Sequence, residues 1–425
     1  MVYFENILKA RHIKHLLIFL LALLVSFLRV EKEEEYLSDD LGSGSLVVFV
    51  EGVPQADDRG IKVKVRLLDG EIPELYGKIG YLTLFGAEDI PSKSFEVFGH
   101  VKVHNGRIFI SSSWKDVKKI ILLGETQRDK LIKRMEEKIE DKDVEALLLS
   151  YLFGASQDVM SFEYQASFWR TGLLHILVVS GFHLTLIALI LRYLLPGIYG
   201  FFLALFGVSW YAFFIVPMDP PVLRAYLMLL FAILIRLLDR RPDYLSLLFF
   251  SGSVILFLYP EYLTSYSFWL SFIATLYLIL SGTNIDDIKS SVPERFHPIF
   301  LSFWSSFFAF LGTASIVSTF SLTTPTSVIF TPIVGILFVP FTAYGILELL
   351  TFFSLPSFPL EYLGKAILSS VSLLSYMSFT LNTPLSVKEA IFITLLSAPM
   401  LYFLKNWWKL LAGVPLMPFL LRSLL

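Results

Sequence analysis

The sequence predicts a polytopic α-helical membrane protein of about ten spans with a small all-β domain inserted near its N-terminus. Three observations predict it. Of 425 residues, 55% are hydrophobic and only 17% are charged, against about 25% charged in soluble domains. From residue 172 onward, apolar runs of near-spanning length follow one another with few charges. Between residues 45 and 113 the hydrophobic period drops from 3.6 to 2, the signature of strands. The net charge of −2 does not announce a polyanionic partner. The absence of Cys excludes disulfides, thiolate metal sites and Cys nucleophiles.

Residues 1–30 read as an uncleaved membrane anchor. Lys9, Arg11 and Lys14 precede the apolar run Leu16 to Leu28, and Arg29 with an acidic cluster from Glu31 to Glu35 follows it. Basic before and acidic after predicts a cytoplasmic N-terminus, with the next segment outside. In residues 45–124 the stretch IKVKVRL alternates apolar side chains with Lys62, Lys64 and Arg66. VFGHVKVH places Val97, Val101 and Val103 on one face and Phe98, His100, Lys102 and His104 on the other. Further strands come from LVVFVEG, YLTLFG and RIFISSS. About five strands in about 70 residues, split by Gly-, Asp- and Pro-containing turns, fit an OB-like barrel. Residues 125–160 read as a charged connector helix that turns apolar toward Phe153 and lies at the membrane surface.

Residues 161–425 form the predicted bundle. Candidate spans are 172–195, 197–216, 221–238, 244–259, 263–281, 299–320, 328–353, 365–382, 388–404 and 409–421. Arg236, Arg240 and Arg241 place the loop after the third run in the cytoplasm. Lys405 and Lys409, flanking Trp407 and Trp408, mark an interface.

Polar residues inside these runs are the functional candidates, because ionisable groups at membrane depth face a bundle interior, a cavity or a transport path. GLLHILVVSGFHL contains His175, Ser180 and His183 with Gly172 and Gly181, and small-residue helix packing is the alternative use of its Gly and Ser. Arg224 lies in the first turns of a span opened by Pro220 and Pro221. There it either snorkels to the interface or faces a cavity and contacts an anion through its forked donors. Ser267, Ser271 and Thr275 form one stripe at helical spacing. Thr323, Pro325, Thr331, Pro332 and Gly335 suggest interrupted helices. Asp158 and Glu163 precede the His-bearing run as acid/base candidates. No phosphate-binding GxxxxGK[ST] loop, HExxH or carboxylate-rich His cluster is present, so no cofactor and no metal are expected, and no enzyme activity is indicated.

FWRTGLLHILVVSGFHLTLIALI resembles the signature of the ComEC-type competence proteins. Phe168, Gly172, Leu173, His175, Ser180, Gly181 and His183 match its aromatic, Gly–Leu–x–His and Ser–Gly–x–His positions. PPVLRAYLM matches through Pro221, Arg224 and Ala225, and FWLSFIA through Phe268, Leu270, Ser271 and Phe272. The intervening RRPDYLSLL and YPEYL supply Arg241, Pro242, Asp243 and Pro260. Four ordered segments make the resemblance specific over most of the chain.

That resemblance implies an inner (plasma) membrane channel that passes single-stranded DNA inward during natural transformation, with the OB-like domain outside the cytoplasm. On this reading His175, Ser180, His183, Arg224 and Ser271 line the channel or contact DNA. Gly172 and Gly181 allow close packing, and Lys62, Lys64, Arg66, Phe98, His100 and Lys102 give the barrel a cationic and stacking track. The implied partners are single-stranded DNA, the lipid bilayer, a cytosolic DNA-translocating motor and an external DNA receptor. A separate nuclease and a homo-oligomer are compatible with it. Three departures from the pattern stand out. The metallo-β-lactamase-like domain of many relatives is absent from the sequence, so nuclease activity is not implied. Gly335 occupies the place of a usual Asn, and one leading span replaces the usual two. Two other functions remain open from the residues: a membrane enzyme or anionic-solute transporter on the same scaffold, and a non-catalytic assembly component.

Overall fold

The computed structural model describes residues 2–36, 40–50, 55–57, 60–72, 75, 79–87, 94–104, 107–119, 126–155, 159–382 and 384–418. The chain divides into two compact units, Leu28–Ser161 and Met1–Phe27 with Phe162–Leu425.

The first of these units is built on strands β1 (Asp40–Val50), β2 (Gln55–Asp57), β3 (Gly60–Gly70), β4 (Ile79–Phe85), β5 (Ser94–His104), β6 (Arg107–Ser113) and β7 (Val117–Lys119). Neighbours run β1-β3-β4-β6-β5, and β5 pairs back onto β1, so the five long strands close on themselves. The β4–β6 pair is parallel and the others are antiparallel. The short β2 and β7 extend β3 and β5. Period-2 alternation produces this closure. On β3, Ile61, Val63, Val65 and Leu67 are buried while Lys62 and Leu68 are exposed. The barrel core is aliphatic apart from Phe95. A five-strand barrel has room for little more than branched aliphatic side chains, so its other rings face outward.

Helix α1 (Val2–Tyr36) spans the boundary between the two units. Two helices follow the barrel, α2 (Gln127–Glu136) and α3 (Lys142–Phe153). The sequence suggested a single connector, and Asp141 is the reason for two. Its carboxylate accepts the N–H groups of Asp143 and Val144 and starts a new helix. Arg128 Nη2 donates to the Phe153 carbonyl at 3.0 Å and ties the start of α2 to the end of α3.

The helical unit comprises α4 (Phe162–Thr171), α5 (Gly181–Leu194), α6 (Gly197–Trp210), α7 (Pro220–Leu237), α8 (Tyr244–Leu258), α9 (Tyr266–Gly282), α10 (Ile285–Lys289), α11 (His297–Val317), α12 (Ser327–Leu350), α13 (Phe358–Ser375) and α14 (Val387–Phe403). Five segments among the described residues are long and apolar enough to cross a membrane: Leu174–Leu194, Gly197–Ile215, Pro220–Leu237, Glu294–Val317 and Ser327–Leu350. Tyr244–Leu258 and Tyr266–Gly282 are apolar but shorter.

The N-terminal helix packs into this unit rather than standing beside it. Phe19 stacks on Phe272 at 4.7 Å between ring centroids. Gly252 makes room for it, since a Cβ there would lie 2.7 Å from both rings. His12 Nδ1 pairs with Asp243, the N-cap of α8, at 3.2 Å, and Ser26 Oγ donates to Leu256 O near the end of α8 at 2.7 Å. Two such contacts in the same order along both helices mean that α1 and α8 run in the same direction.

Two sequence expectations change. Pro332 does not interrupt its helix: α12 runs on through Pro332 and Pro340, and the break lies before it, at residues 318–326. Lys409 is not an exposed flanking cation. It is fully buried within a 3-10 segment, Asn406–Leu416, that takes the place of the expected last span, and its Nζ donates to Leu280 O at 2.6 Å, Ser281 O at 3.3 Å, and the carbonyl and Oγ1 of Thr283. These are the orphan carbonyls at the C-terminus of α9, where a cation also meets the negative end of the helix dipole.

The register makes a direct prediction. Val65→Asp buries an unpaired carboxylate in the barrel at a cost of several kcal/mol and should open Leu28–Ser161 to limited proteolysis. Leu68→Asp, on the outward face of the same strand, should leave protease resistance unchanged.

Candidate functional site

The run GLLHILVVSGFHL is not one helix. After α4 the chain turns at Gly172, makes a 3-10 turn over Leu174–Ile176, and begins α5 only at Gly181. Gly172 has φ +72°, in the left-handed region. A Cβ on it would sit 2.9 Å from Thr324 Cβ and 3.0 Å from Ser327 Cβ, so the glycine closes on the turn before α12. That turn is held to the chain before α14 by paired backbone bonds, Thr323 N–H to Leu381 O at 3.1 Å and Leu381 N–H to Thr323 O at 2.7 Å. Thr323, Thr324 and Ser327 are buried there.

Ser180 and His183 start α5. Ser180 Oγ accepts the Phe182 N–H at 3.3 Å, and the buried His183 ring returns the favour through Nδ1, which accepts the Ser180 N–H at 3.2 Å. His183 thus fills the place of the Glu or Gln in a capping box. Because Nδ1 accepts, the neutral ring carries its proton on Nε2. His175 has the opposite tautomer. Its Nδ1 lies 2.8 Å from the Gly172 carbonyl, which can only accept, so Nδ1 bears the proton. His175 sits on the exposed side of the 3-10 turn.

Arg224 leaves the first turns of α7 and crosses to α9. Its Nη1 donates to the carbonyl of Ser271 and to Thr275 Oγ1. The Thr275 hydroxyl itself donates to the same carbonyl at 3.0 Å. Arg224 Nε is buried without a hydrogen-bond partner among the described residues. A Cβ on Gly181 would lie 3.4 Å from Ala225 Cβ and 4.0 Å from Arg224 Nη2. The first turn of α5, Arg224 and the polar stripe of α9 therefore meet at one place. The partners of the guanidinium are a carbonyl and a hydroxyl, neither of them an anion. The positive end of the α5 dipole stands beside it. The Ser180 hydroxyl also lies 3.3 Å from His183 Nδ1.

Of the predicted bundle residues, Ser180, Gly181, His183, Arg224 and Ser271 come together, with Ser271 contributing its backbone rather than its hydroxyl. Gly172 packs against the turn before α12, and no described contact joins His175 to the cluster. Glu163 is exposed on the first turn of α4, and Asp158 lies outside the described residues. Thr275 and the Thr323–Ser327 turn take larger parts than their sequence rank suggested. Their signal was hydroxyl spacing, which cannot be told apart from ordinary helix packing without the neighbouring helix.

On the barrel, Lys62 and Arg66 lie on β3, whereas Phe98, His100 and Lys102 lie on β5. The side chain of Lys64 lies outside the described residues. Strands β3 and β5 are not neighbours, since β1 separates them on one side and β4 with β6 on the other. His100 bridges Ser43 Oγ at 3.1 Å and Asp40 Oδ1 at 3.2 Å. The Gly42 N–H holds the Asp40 carboxyl below the usual carboxylate range.

The glycines can be tested separately. Gly172→Ala forces a side chain into the left-handed region, at about 1–2 kcal/mol, and against Thr324, so it should lower the melting temperature of the detergent-solubilised protein. Gly181→Ala meets only ordinary contact distances and should melt as the parent does.

Residues 152–411 match the competence protein family. A protein of Aquifex aeolicus (strain VF5), described as an uncharacterized protein, is 36% identical over 404 residues, covering 93% of this chain and 94% of that one. No solved structure matches. The match takes in the broken α4–α5 segment, Arg224 and the α9 stripe together, and the chain belongs to the ComEC-type competence protein family.

Proposed function

We propose that the helical unit forms an inner-membrane conduit for single-stranded DNA during natural transformation. Membership in the competence family supports a role in DNA uptake. The observation that carries the finer reading is the meeting of Arg224 with the N-terminus of α5. A guanidinium that pairs with no acid among the described residues, next to a positive helix end, suits a passing phosphate. The hydroxyl and carbonyl of α9 hold the guanidinium in place while leaving its charge unbalanced. A phosphate can then be met at this point without being captured as an ion pair with a fixed acid would capture it.

The barrel belongs to the same proposal as an OB-like domain outside the cytoplasm. A closed five-strand order with one parallel pair supports the first part. The parallel course of α1 and α8 supports the second. The last turn of α7 carries Arg236 and the loop before α8 carries Arg240 and Arg241, the positive charge expected on the cytoplasmic side, and α1 starts on that same side. A cytosolic motor would drive transport, and an external receptor would deliver the strand.

Uptake of labelled DNA by the native cell tests the conduit. Arg224→Ala should abolish internalisation while the protein remains in the membrane. Arg224→Lys should fail as well, because a single ammonium cannot keep both α9 acceptors and still face α5. Ser271→Ala should cost far less than Arg224→Ala, since the backbone carbonyl is the contact. Normal uptake by Arg224→Ala removes the proposal.

A further inference from the structure

Where β5 closes the barrel onto β1, three outward side chains meet. Ser43 on β1 stands directly opposite His100 on β5. Ser43 Oγ lies 3.1 Å from His100 Nδ1, and Asp40 Oδ1 lies 3.2 Å from His100 Nε2. Asp40 and Ser43 are separated by an odd number of positions, so on a regular strand they would face opposite sides. The register shifts between Asp40 and Gly42, and Gly42 takes φ +82°. Such a bulge turns Asp40 to the outer face beside Ser43, and it needs a residue that accepts the left-handed region. Ser43 is exposed and His100 half-buried. Next to His100, between Phe85 and Phe98, the surface sinks into an open groove of about 290 Å³ lined by Gly99 and Ser111–Ser113.

The tautomer follows from the partners. Asp40 Oδ1 accepts the Gly42 N–H at 2.9 Å, which holds the carboxyl below the usual carboxylate range and keeps it ionised. A carboxylate can only accept, so His100 Nε2 carries the proton and Nδ1 accepts the Ser43 hydroxyl. A nucleophile, a base and a group that orients the base thus stand in hydrogen-bond sequence. A polar cross-strand pair serving the sheet would need neither the third member nor a cavity beside it. The N–H groups of Gly42 and Ser45, on either side of Ser43, are engaged by Asp40 and by Glu71 Oε2. Lys102 pairs opposite Asp40 and brings a cation to the same face. One flexible ammonium stabilises an oxyanion less than fixed N–H donors do, so the set suits an ester, with its ready leaving group, over an amide.

We propose that Ser43, His100 and Asp40 form a hydrolytic triad for carboxylic esters, with the apolar part of the ester in the groove between Phe85 and Phe98. Ser43 Oγ bonds to the ester carbonyl carbon while His100 Nδ1 takes the hydroxyl proton, and the carbonyl oxygen becomes an oxyanion met by Lys102. The C=O re-forms as the bond to the alkoxy oxygen breaks, and that oxygen leaves as an alcohol with the proton from Nδ1. Water then attacks the acyl group on Ser43 and gives a proton to Nδ1, and the acid departs as Ser43 Oγ takes that proton back. Ester and water become acid and alcohol, with no redox change. Ser43 and His100 are the catalytic residues, and Asp40 is a positioning residue that holds the tautomer. The triad goes beyond the conduit reading and does not depend on it.

The test uses the full chain in lipid nanodiscs, a fluorophosphonate probe and p-nitrophenyl butyrate. The probe should form an adduct on Ser43, located by peptide mass spectrometry, and the ester should be hydrolysed. Ser43→Ala should abolish both. His100→Gln should slow both about a hundredfold or more. Asp40→Asn should slow adduct formation about tenfold or more, although an Asn oxygen still caps the Gly42 N–H, so a merely structural Asp40 predicts no change. Phe98→Ala should raise KM for the butyrate ester more than it lowers kcat. Limited proteolysis of Leu28–Ser161 checks that each variant keeps its barrel. Absence of a Ser43 adduct on a protease-resistant barrel overturns the proposal, as does an adduct that forms at the wild-type rate in His100→Gln. The triad is judged by the chemistry of Ser43 and the conduit by DNA uptake in Arg224→Ala, so the two readings fail separately.

Discussion

A partly buried guanidinium needs acceptors within the protein, and three helices of the bundle meet at one. Arg224 satisfies part of its donor set on α9, where the Ser271 carbonyl is already engaged by Thr275 one turn on. The helix lends a carbonyl without losing its own turn because Thr275 sits where its hydroxyl can share the acceptor. Closeness does the rest. Gly181, in the first turn of α5, stands close to Ala225 and to the guanidinium. The charge is thus held by a carbonyl and a hydroxyl, with no ion pair to Arg224 among the described residues.

The broken course from α4 to α5 serves the same constraint. A continuous helix through Gly172 to Leu184 would satisfy every backbone group and present no positive end inside the bundle. Breaking it exposes N–H groups that must find acceptors in an apolar setting. Ser180 and His183 supply two of them within the segment itself. The left-handed turn at Gly172 fits against a second irregular stretch, the turn before α12, so two helix breaks protect each other. Irregular backbone survives at depth only when packed against protein in this way.

Elsewhere, buried polar groups act as fasteners. Lys409 collects the terminal carbonyls of α9 and so fixes the far end of the helix that holds Arg224. His12 and Ser26 attach α1 along α8, and Phe19 occupies the space Gly252 leaves. In the barrel the constraint is volume. An aliphatic core sends the rings outward, where cross-strand pairing sets them in rows.

Much of this was legible in the chain. Alternation in IKVKVRL and VFGHVKVH fixes which side chains enter the barrel, because a strand offers only two faces. The apolar runs mark the helices, since few charges are tolerated there. Motif spacing singled out Ser180, Gly181, His183, Arg224 and Ser271 before any neighbour was known. What the chain could not disclose is who meets whom. Nothing in VFGHVKVH tells that β5 borders β6 and β1 but not β3, so the track imagined through Lys62 and Phe98 divides, and Tyr81 and Phe109 come together instead. Nothing in FWLSFIA tells that Ser271 offers its carbonyl and not its hydroxyl. Burial follows from local pattern, because it depends on each residue's own period. Partnership follows from pairing order and helix approach, which are settled by contacts between residues far apart in sequence, and only the tertiary structure decides those.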